Sequence, residues 1–338
     1  MPHESAHTQM ELKSEHITIA VTVYNRRDFV LDAVRSALNQ TVPVKVIVVE
    51  DCGPDATLRD FVTGEFGNRI EYFRNPKNRG LFDNWNACMD YCRTPWLSIL
   101  HDDDLLHPNF VETMLGLAKT APGRTLYHGQ SAILHEDGKI VPPPRVAWGK
   151  DWQDMDLLEM GDQNFIMMFP GQLFCIEDAR AVGGVRKNSY YTGDWDLWFR
   201  LALRGGAVQT AAEVSVFRSH YGLERGSIHV DRMGWRWALE NAQRKRNLAL
   251  LMRVKGISIP FDRAKWLKQR PIPSRLLLQH THRYSKRILA YNTWLFTHSQ
   301  PPHLRYATLQ WLVRLFGPNA LRICSVLWNR VHPPTKKQ

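Results

Sequence analysis

The chain contains 338 residues, of which 44% are hydrophobic, and it carries a formal net charge of +11. A chain of this length can bury a large core and exceeds the usual size of one compact domain. The first 16 residues lack the apolar segment of a secretory signal, and no apolar run reaches the roughly 18 residues that span a bilayer. The five cysteines have no zinc-type spacing, which favours reduced thiols. We therefore expect a cytoplasmic protein that does not itself cross a membrane.

The positive charge is concentrated at the carboxyl-terminal end. Residues 231–338 contain 21 Lys and Arg but only three acidic residues, a net charge of +18, whereas residues 1–230 sum to −7. Two regions of opposite charge indicate two different roles. We expect a polar leader over residues 1–15, one α/β domain over 16–230, and a basic, helical region over 231–338.

Apolar β-branched runs alternate with amphipathic segments in the first part of the chain. The predicted strands are 17–24, 44–49, 70–73 and 96–100, and the predicted helices are 27–38, 58–66, 81–91 and 108–117. This alternation predicts an α/β fold with a mostly parallel central sheet that is covered on both faces. In such sheets, ligands bind beyond the carboxyl ends of the strands.

Beyond residue 120 the alternation is less regular. Runs 126–134 and 139–141 flank Asp137 and Gly138, which predicts a hairpin. An acidic loop follows, up to residue 162. Residues 194–203 have helical spacing and precede two glycines, Gly205 and Gly206, which favour a helix end, and 214–217 is a strand-like run.

Polar residues follow three of the predicted strands. They are, in chain order, Thr22, Tyr24, Asn25, Glu50, Asp51, His101, Asp102, Asp103 and Asp104. Because the carboxyl ends of parallel strands meet at one edge of a sheet, we expect these side chains to converge there.

The three consecutive aspartates Asp102, Asp103 and Asp104 indicate a metal site. Their mutual repulsion calls for a positive counter-charge, and Mg²⁺ or Mn²⁺ is a natural one because both take carboxylate ligands. The alternative is a solvated loop before a helix, since acidic residues also favour helix starts such as the one near Pro108.

Five segments taken in order resemble the motifs of family 2 glycosyltransferases. They are TVYNR at 22–26, VVEDCGPD at 48–55, NRG at 78–80, HDDDLLHP at 101–108 and GDWDL at 193–197. The similarity covers about residues 15–230. It implies a GT-A fold with a donor half over 16–120 and an acceptor half over 121–230. It also implies inverting transfer of a sugar from a nucleotide diphosphate sugar to an acceptor hydroxyl, assisted by Mg²⁺ or Mn²⁺.

The resemblance also implies which residues bind the donor. They are Thr22, Tyr24, Asn25, Asp51, Arg79 and Asp102. Asp51 would accept a hydrogen bond from the base, Arg79 would approach the diphosphate, and Asp102 would lie near the ribose. The alternatives are that Thr22 and Tyr24 are ordinary strand residues, that Asp51 caps a turn, and that Arg79 is an ordinary surface residue of the Asn-Arg-Gly turn.

The metal ligands that the resemblance implies are Asp103, Asp104 and His220. His101 stands where the commonest family pattern has an aspartate, so which carboxylate touches the ion stays open. His101 itself is either a partner of a metal ligand or a packed structural residue.

Asp194 matches the family's general base, which must lie close to the acceptor hydroxyl. Its place before a predicted helix also fits a helix cap, and the two roles are compatible. Trp195 and Asp196 follow as residues that would bind the acceptor, with a structural role for Asp196 as the alternative.

The basic region 231–338 is also rich in aromatic residues. Such a composition suits peripheral contact with an anionic membrane, where a lipid-linked or carbohydrate acceptor would be presented. The alternative is an ordinary helical core with solvated cations outside. No nucleic-acid-binding module is recognisable, so we expect no nucleic-acid partner.

The function expected from these features is sugar transfer in the synthesis of a cell-surface polysaccharide, lipopolysaccharide or glycolipid. Three alternatives stay open: a metal-dependent hydrolase of nucleotide diphosphate sugars, a non-catalytic nucleotide-sugar-binding protein, and a scaffold whose basic region carries the function.

Overall fold

The computed structural model of the chain describes residues 11–144, 150–157, 160, 168–186, 193–220 and 256. The chain divides into two compact units, Met1–His229 and Val230–Gln338. The first ten residues of the leader, much of the predicted acidic loop before residue 162, and the predicted helices of the basic region lie outside the described residues. Among the described residues, no helix is both long and apolar enough to cross a bilayer.

The first half of the domain alternates strands and helices. After a 3-10 turn at Ser14–His16 come β1 (Ile17–Val23), α1 (Arg27–Leu38), β2 (Lys45–Glu50), α2 (Leu58–Phe66), a second 3-10 turn (Gly67–Arg69), β3 (Glu71–Arg74), α3 (Leu81–Tyr91), β4 (Trp96–His101), β5 (Leu105–Leu106) and α4 (Phe110–Thr120). The bounds of α1, α2 and α3 coincide with the predicted ones, and α4 lies slightly further along the chain. The two-residue β5 has no counterpart among the predicted elements.

The second half contains longer and more irregular elements. They are β6 (Leu126–His135), β7 (Ile140–Val141), β8 (Trp152–Asp154), β9 (Gln172–Cys175), α5 (Ile176–Ala181), α6 (Gly193–Gly205) and β10 (Ala207–Ser219). The predicted β6–β7 hairpin is confirmed, because Ile133 pairs with Val141 in antiparallel register. The sequence did not indicate β8, β9 or α5, and β10 extends well beyond the predicted run 214–217.

The described strands form one sheet in the order β3-β2-β1-β4-β9-β6-β10-β5, with β7 beside β6 and β8 beside β10. Strands β3, β2, β1 and β4 are mutually parallel, as are β6 and β10. Val23 pairs with Glu50, and Thr22 pairs with His101. The carboxyl ends of β1, β2 and β4 therefore reach the same edge, as the sequence predicts.

Burial explains why the parallel strands form the centre. All seven residues of β1 are buried, which requires cover on both faces. Helix α1 presents Val30, Ala33, Val34 and Ala37 to the core, at the spacing of one helical face. Each of the two buried valines contributes about 1.5–3 kcal/mol relative to an exposed one, and each alanine methyl contributes less.

Strand β9 joins the two halves of the sheet through a short pairing. Its backbone pairs with β4 only at Trp96↔Cys175 and Leu97↔Phe174. Further along β4, the side-chain amide of Gln172 replaces the backbone pairing. It donates to the carbonyl of Ile99 at 2.7 Å and accepts from the Ile99 N–H at 3.4 Å. A side chain thus satisfies backbone groups that a neighbouring strand would otherwise satisfy.

The loops after β1 and β2 are in direct contact at the sheet edge. The Asp51 N–H donates to the carbonyl of Val23 at 2.9 Å, and Cys52 adopts a φ of +52°. A Cβ atom on Gly53 would lie 1.7 Å from the carbonyl oxygen of Tyr24. Only glycine allows this approach, so Gly53 fixes the spacing between the two loops.

Replacing Gly53 by alanine should therefore push the two loops apart. We expect Gly53→Ala to lower the free energy of unfolding by about 1–3 kcal/mol, measured by chemical denaturation. The matched control is Gly64→Ala in the middle of α2, where an added Cβ meets nothing within 4 Å and helix propensity improves stability by roughly 0.5–1 kcal/mol. Equal effects of the two substitutions would contradict the argument.

Candidate active site

Four aspartates lie buried at the carboxyl edge of the parallel strands. Asp51, Asp102, Asp103 and Asp104 are exposed by 4%, 7%, 7% and 1%. Burial of ionisable carboxylates without compensation is costly, so their partners determine what this edge can do.

The Asp51 carboxylate fixes the turn at residues 78–80. Its Oδ1 accepts hydrogen bonds from the side-chain amide of Asn75 at 3.0 Å and from the N–H of Arg79 at 2.8 Å. Its Oδ2 accepts from the N–H of Gly80 at 2.8 Å. The turn-capping role considered for Asp51 is therefore present, and a contact with the donor base stays a prediction. The Arg79 side chain is exposed beside this turn.

Glu50 has a structural role. Its carboxylate is fully buried and accepts hydrogen bonds from the N–H of Gly53 at 3.0 Å, from the hydroxyl of Tyr72 at 2.8 Å, and from the guanidinium of Arg74. Burial and the neighbouring Glu50 carboxylate raise the pKa of Tyr72. Glu50 thus fixes the loop after β2 from inside.

The three predicted donor-binding residues after β1 differ in accessibility. Thr22 is buried, and its hydroxyl lies 3.4 Å from the carbonyl of Leu100. Tyr24 is 41% exposed, and Asn25 is exposed as well. Tyr24 and Asn25 are therefore open to a ligand, whereas Thr22 supports the strand beneath them.

The Asp102–Asp104 turn is surrounded by positive and hydrogen-bonding groups from both halves of the domain. The Arg26 guanidinium contacts Asp103 and lies 3.5 Å from Asp102. His220 Nε2 lies 2.9 Å from Asp103 Oδ2. The N–H of Arg218 donates to Asp104 Oδ1 at 2.9 Å. These contacts place the predicted ligand His220 at the carboxylate cluster.

Arg26 and Arg218 were not predicted as site residues. Arg26 is the last residue of the TVYNR segment, so its place in that motif was a usable signal. Arg218 lies near the end of β10, where its Nε also donates to the carbonyl of Asp103 at 2.9 Å. Only the three-dimensional pairing of β10 with the rest of the sheet reveals that position.

Burial shifts the titration of this cluster. It raises the pKa of Asp102 to about 7, and together with the charge of Asp103 it raises the pKa of Asp104 well above its usual range. It lowers the pKa of His101 to about 4, which leaves the imidazole neutral at neutral pH. Nearby positive charge would favour the ionised carboxylates.

The cluster fits a divalent cation. Donor atoms of His101, Asp103 and Asp104 all lie within 4.8 Å of one another. Asp104 Oδ2 is buried without a hydrogen-bond partner, which is costly unless something binds it. Oxygen and imidazole nitrogen are suitable ligands for Mg²⁺ or for a transition-metal ion.

A stack of aromatic rings packs against His101. The ring of Phe169 lies parallel to the imidazole with a centroid distance of 4.0 Å, and Trp85 contacts both. Phe169 is held in place through its neighbours, because His128 Nε2 lies 3.1 Å from the carbonyl of Met168 and the Ser131 hydroxyl donates to the carbonyl of Pro170. Residues of the second half of the domain thus fix the orientation of the Phe169 ring against His101.

Asp194 lies in the first turn of α6, where its Oδ1 accepts a hydrogen bond from the N–H of Trp195 at 2.8 Å. Both residues are partly exposed. An added Cβ on Gly193 would lie 2.7 Å from the ring of Phe82, so glycine allows α6 to begin against α3. Phe82 in turn contacts Trp85 in the aromatic stack. This chain of contacts connects the Asp194 turn with the stack around His101.

Asp196 forms a buried ion pair. Its Oδ2 lies 2.7 Å from the guanidinium of Arg200, one helical turn further on, and Arg186 lies 3.6 Å away. Arg200 also donates to the carbonyls of Val182 and Gly184. The structural alternative considered for Asp196 is therefore present, and its predicted contact with an acceptor stays a prediction.

The fold and this edge define an α/β protein of the GT-A type. In a solved structure of TarS from S. aureus with UDP-GlcNAc, the aligned region covers 93% of this chain and 92% of that chain, with a TM-score of 0.58 and 11% identity. At this identity the likeness shows the fold, and it confirms the predicted fold class.

Residues 18–181 match the family described as glycosyl transferase family 2. This match confirms, over residues 18–181, the resemblance that the motifs suggested.

Relatives in two organisms agree with this assignment. An uncharacterised glycosyltransferase of Rickettsia typhi is 26% identical over 207 residues, which are 59% of this chain and 62% of that protein. The succinoglycan biosynthesis protein ExoO of Rhizobium meliloti is 34% identical over 130 residues, which are 38% of this chain and 37% of that protein. The chain thus matches less than two thirds of the length of either relative.

The Arg26 contact gives a test of the charge balance at this site. Because Arg26→Gln leaves Asp102 and Asp103 without their guanidinium, we expect it to lower the free energy of unfolding by about 1–3 kcal/mol in EDTA. Millimolar Mn²⁺ should restore most of this loss by supplying positive charge. Chemical denaturation with and without the ion measures both effects.

The control is Arg27→Gln. Arg27 forms an exposed pair with Asp55 at 2.8 Å, outside the cluster. It should change stability little and without dependence on Mn²⁺. If Arg26→Gln lowers the free energy of unfolding equally with and without Mn²⁺, Arg26 does not balance the charge of this cluster.

Proposed function

We propose that this chain transfers a sugar from a nucleotide diphosphate sugar to an acceptor hydroxyl, with inversion and with Mg²⁺ or Mn²⁺ as cofactor. The observation that carries the proposal is the gathering of buried carboxylates at the carboxyl edge of the sheet, including the unpartnered Oδ2 of Asp104. The match of residues 18–181 to glycosyl transferase family 2 supports sugar transfer, and the UDP and UDP-GlcNAc complexes of TarS support a nucleotide-sugar donor.

In this proposal Asp103, Asp104 and His220 would hold the cation, and His220 Nε2 lies 2.9 Å from Asp103 Oδ2. When bound, the cation stabilises the negative charge of the leaving nucleotide diphosphate. Arg218 orients Asp104 by donating to its Oδ1. The leaving group needs no general acid, because positive charge at this edge stabilises it.

The donor nucleotide lies across the ends of β1 and β2. The exposed side chains of Tyr24 and Asn25 and the buried carboxylate of Asp51 flank this surface. Gly53 allows the loops after β1 and β2 to approach each other closely, so together they form one binding surface for the nucleotide. Thr22 supports the strand beneath this surface, and Asp102 lies near the ribose. The exposed side chain of Arg79, at the turn that Asp51 caps, approaches the diphosphate.

Asp194 is the proposed general base. A carboxylate in the first turn of a helix is stabilised in its ionised form by the helix dipole, which suits a base that must be charged before it accepts a proton. It takes the proton of the acceptor hydroxyl as that oxygen attacks the sugar carbon from the face opposite the diphosphate. Direct displacement of this kind inverts the configuration at that carbon. Trp195 and Asp196 follow it on α6 as acceptor-binding candidates.

The acceptor is proposed to be a carbohydrate or a lipid-linked carbohydrate in cell-surface polysaccharide synthesis. The relative ExoO, a succinoglycan biosynthesis protein, supports this class of pathway. The +18 charge of residues 231–338 supports a second proposal, peripheral contact with the anionic inner face of the cytoplasmic membrane. No nucleic-acid partner is proposed.

A screen of nucleotide sugars tests the donor proposal. We expect one donor to raise the melting temperature of the full chain in Mn²⁺ or Mg²⁺ but not in EDTA. At a hundred times its Kd such a ligand stabilises by about 2.7 kcal/mol. Asp103→Asn should abolish the effect, whereas Asp137→Asn, on the exposed tip of the β6–β7 hairpin, should preserve it. Stabilisation that persists in EDTA would contradict the metal-assisted site.

A second measurement tests Asp194. We expect Asp194→Asn to lower the transfer rate about 10²–10⁴-fold and to leave donor affinity unchanged, since the lost group acts on the acceptor. The control Asp60→Asn removes an exposed carboxylate from the first turn of α2 and should change neither.

The same experiment separates the alternatives by their products. A nucleotide-sugar hydrolase would release free sugar at full rate without an acceptor, and a binding protein would bind the donor without turnover. Either result would replace the transferase proposal.

A further inference from the structure

His101 is partly buried, and both of its ring nitrogens have unusual surroundings. Its Nε2 is buried without a hydrogen-bond partner, and the carboxylate oxygen facing its Nδ1, Asp104 Oδ2, is also buried without one. The two facing atoms are 3.7 Å apart, which is too far for a hydrogen bond. Asp104 Oδ2 therefore lies unpaired beside the Nδ1 atom of an imidazole, which is costly unless a third atom joins the oxygen and the nitrogen.

We propose that His101 is itself a ligand of the divalent cation through Nδ1, and that the resulting nitrogen-containing set makes the site select Mn²⁺ over Mg²⁺. This inference rests on the proposed function, because it concerns the ion of the same site. It goes further by naming a ligand and the ion that this ligand favours.

The separation of the donor atoms suits a shared ion. Two ligand atoms about 2.1 Å from one octahedral ion lie about 3 Å apart when adjacent and about 4.2 Å apart when opposite. The 3.7 Å between His101 Nδ1 and Asp104 Oδ2 is shorter than 4.2 Å, so one ion can reach both atoms, and small side-chain adjustments bring in the third donor of the group, which lies within 4.8 Å.

The surrounding residues fix both groups in this arrangement. Arg218 occupies Asp104 Oδ1, which leaves Oδ2 facing the imidazole. Phe169 stacks on the imidazole at 4.0 Å and 7°, and Trp85 stacks at 5.5 Å and 20°. A ring held in this way needs little reorganisation to bind an ion.

The choice of ion follows from ligand chemistry. Mg²⁺ is a hard cation that takes oxygen ligands, whereas first-row transition metals also accept imidazole nitrogen. An aspartate at position 101 would give an all-oxygen set with little reason to discriminate. A histidine there shifts the preference away from Mg²⁺.

The test compares ion binding by the full chain without any nucleotide. Metal-free wild-type protein is titrated with Mn²⁺, followed by electron paramagnetic resonance of the free ion, and then with Mg²⁺ as a competitor. We expect His101→Asp to lower the ratio of the Mg²⁺ to the Mn²⁺ dissociation constant at least tenfold. The control His107→Asn removes a partly exposed imidazole that lies near Glu213, outside the cluster, and should leave the ratio unchanged.

A second, spectroscopic measurement tests the same inference if the His101→Asp variant does not fold. Bound Mn²⁺ shows magnetic coupling to ¹⁴N when an imidazole ligates it, and we expect this coupling to persist in His220→Asn, where His101 is the remaining imidazole of the cluster. Loss of the coupling in His220→Asn, or an unchanged ion ratio in folded His101→Asp, would overturn the inference and leave the proposed function intact. Failure of the wild-type chain to bind millimolar Mn²⁺ would overturn both.

Discussion

Repulsion among the consecutive carboxylates at the end of β4 is the constraint around which this domain is arranged. Asp102, Asp103 and Asp104 are all buried, and groups from two separate parts of the domain contact them. Arg26 reaches them from the loop after β1, and Arg218 and His220 reach them from the end of β10. Groups from the two halves of the α/β domain therefore meet at this cluster, and neither half completes it alone.

The order of the strands in the sheet brings these groups together. Strand β10 is the longest described strand, and it runs parallel to β6 past the register shifts after Gln209 and Glu213. Its antiparallel pairing with β5, at Ser215↔Leu106, brings it beside the residues that follow Asp104. Residues more than a hundred positions apart in sequence thereby share hydrogen bonds. The same strand carries Arg218 past Phe29, whose ring lies 4.6 Å from the guanidinium.

Sequence patterns predicted those parts of the structure that local chemistry determines. Helices α1, α2 and α3 had clear apolar faces, and the polar residues after β1, β2 and β4 marked the ligand-binding edge. Strand β9 has four fully buried residues and no alternation, so no local pattern distinguished it. The contacts of Arg218 and Phe169 depend on long-range pairing. The Asp196–Arg200 pair, by contrast, has i,i+4 spacing, so a structural role was readable for Asp196.

The side-chain amide of Gln172 has a consequence for the shape of the domain. Where it replaces a backbone partner for Ile99, the main chains of β4 and β9 must stand apart by the length of a glutamine side chain. Beyond Leu97 the two strands are therefore joined by a side chain and not by backbone pairing. A shorter residue at position 172 would leave the Ile99 N–H and carbonyl without this partner, so one amide maintains the connection between the strands just before the aspartate cluster.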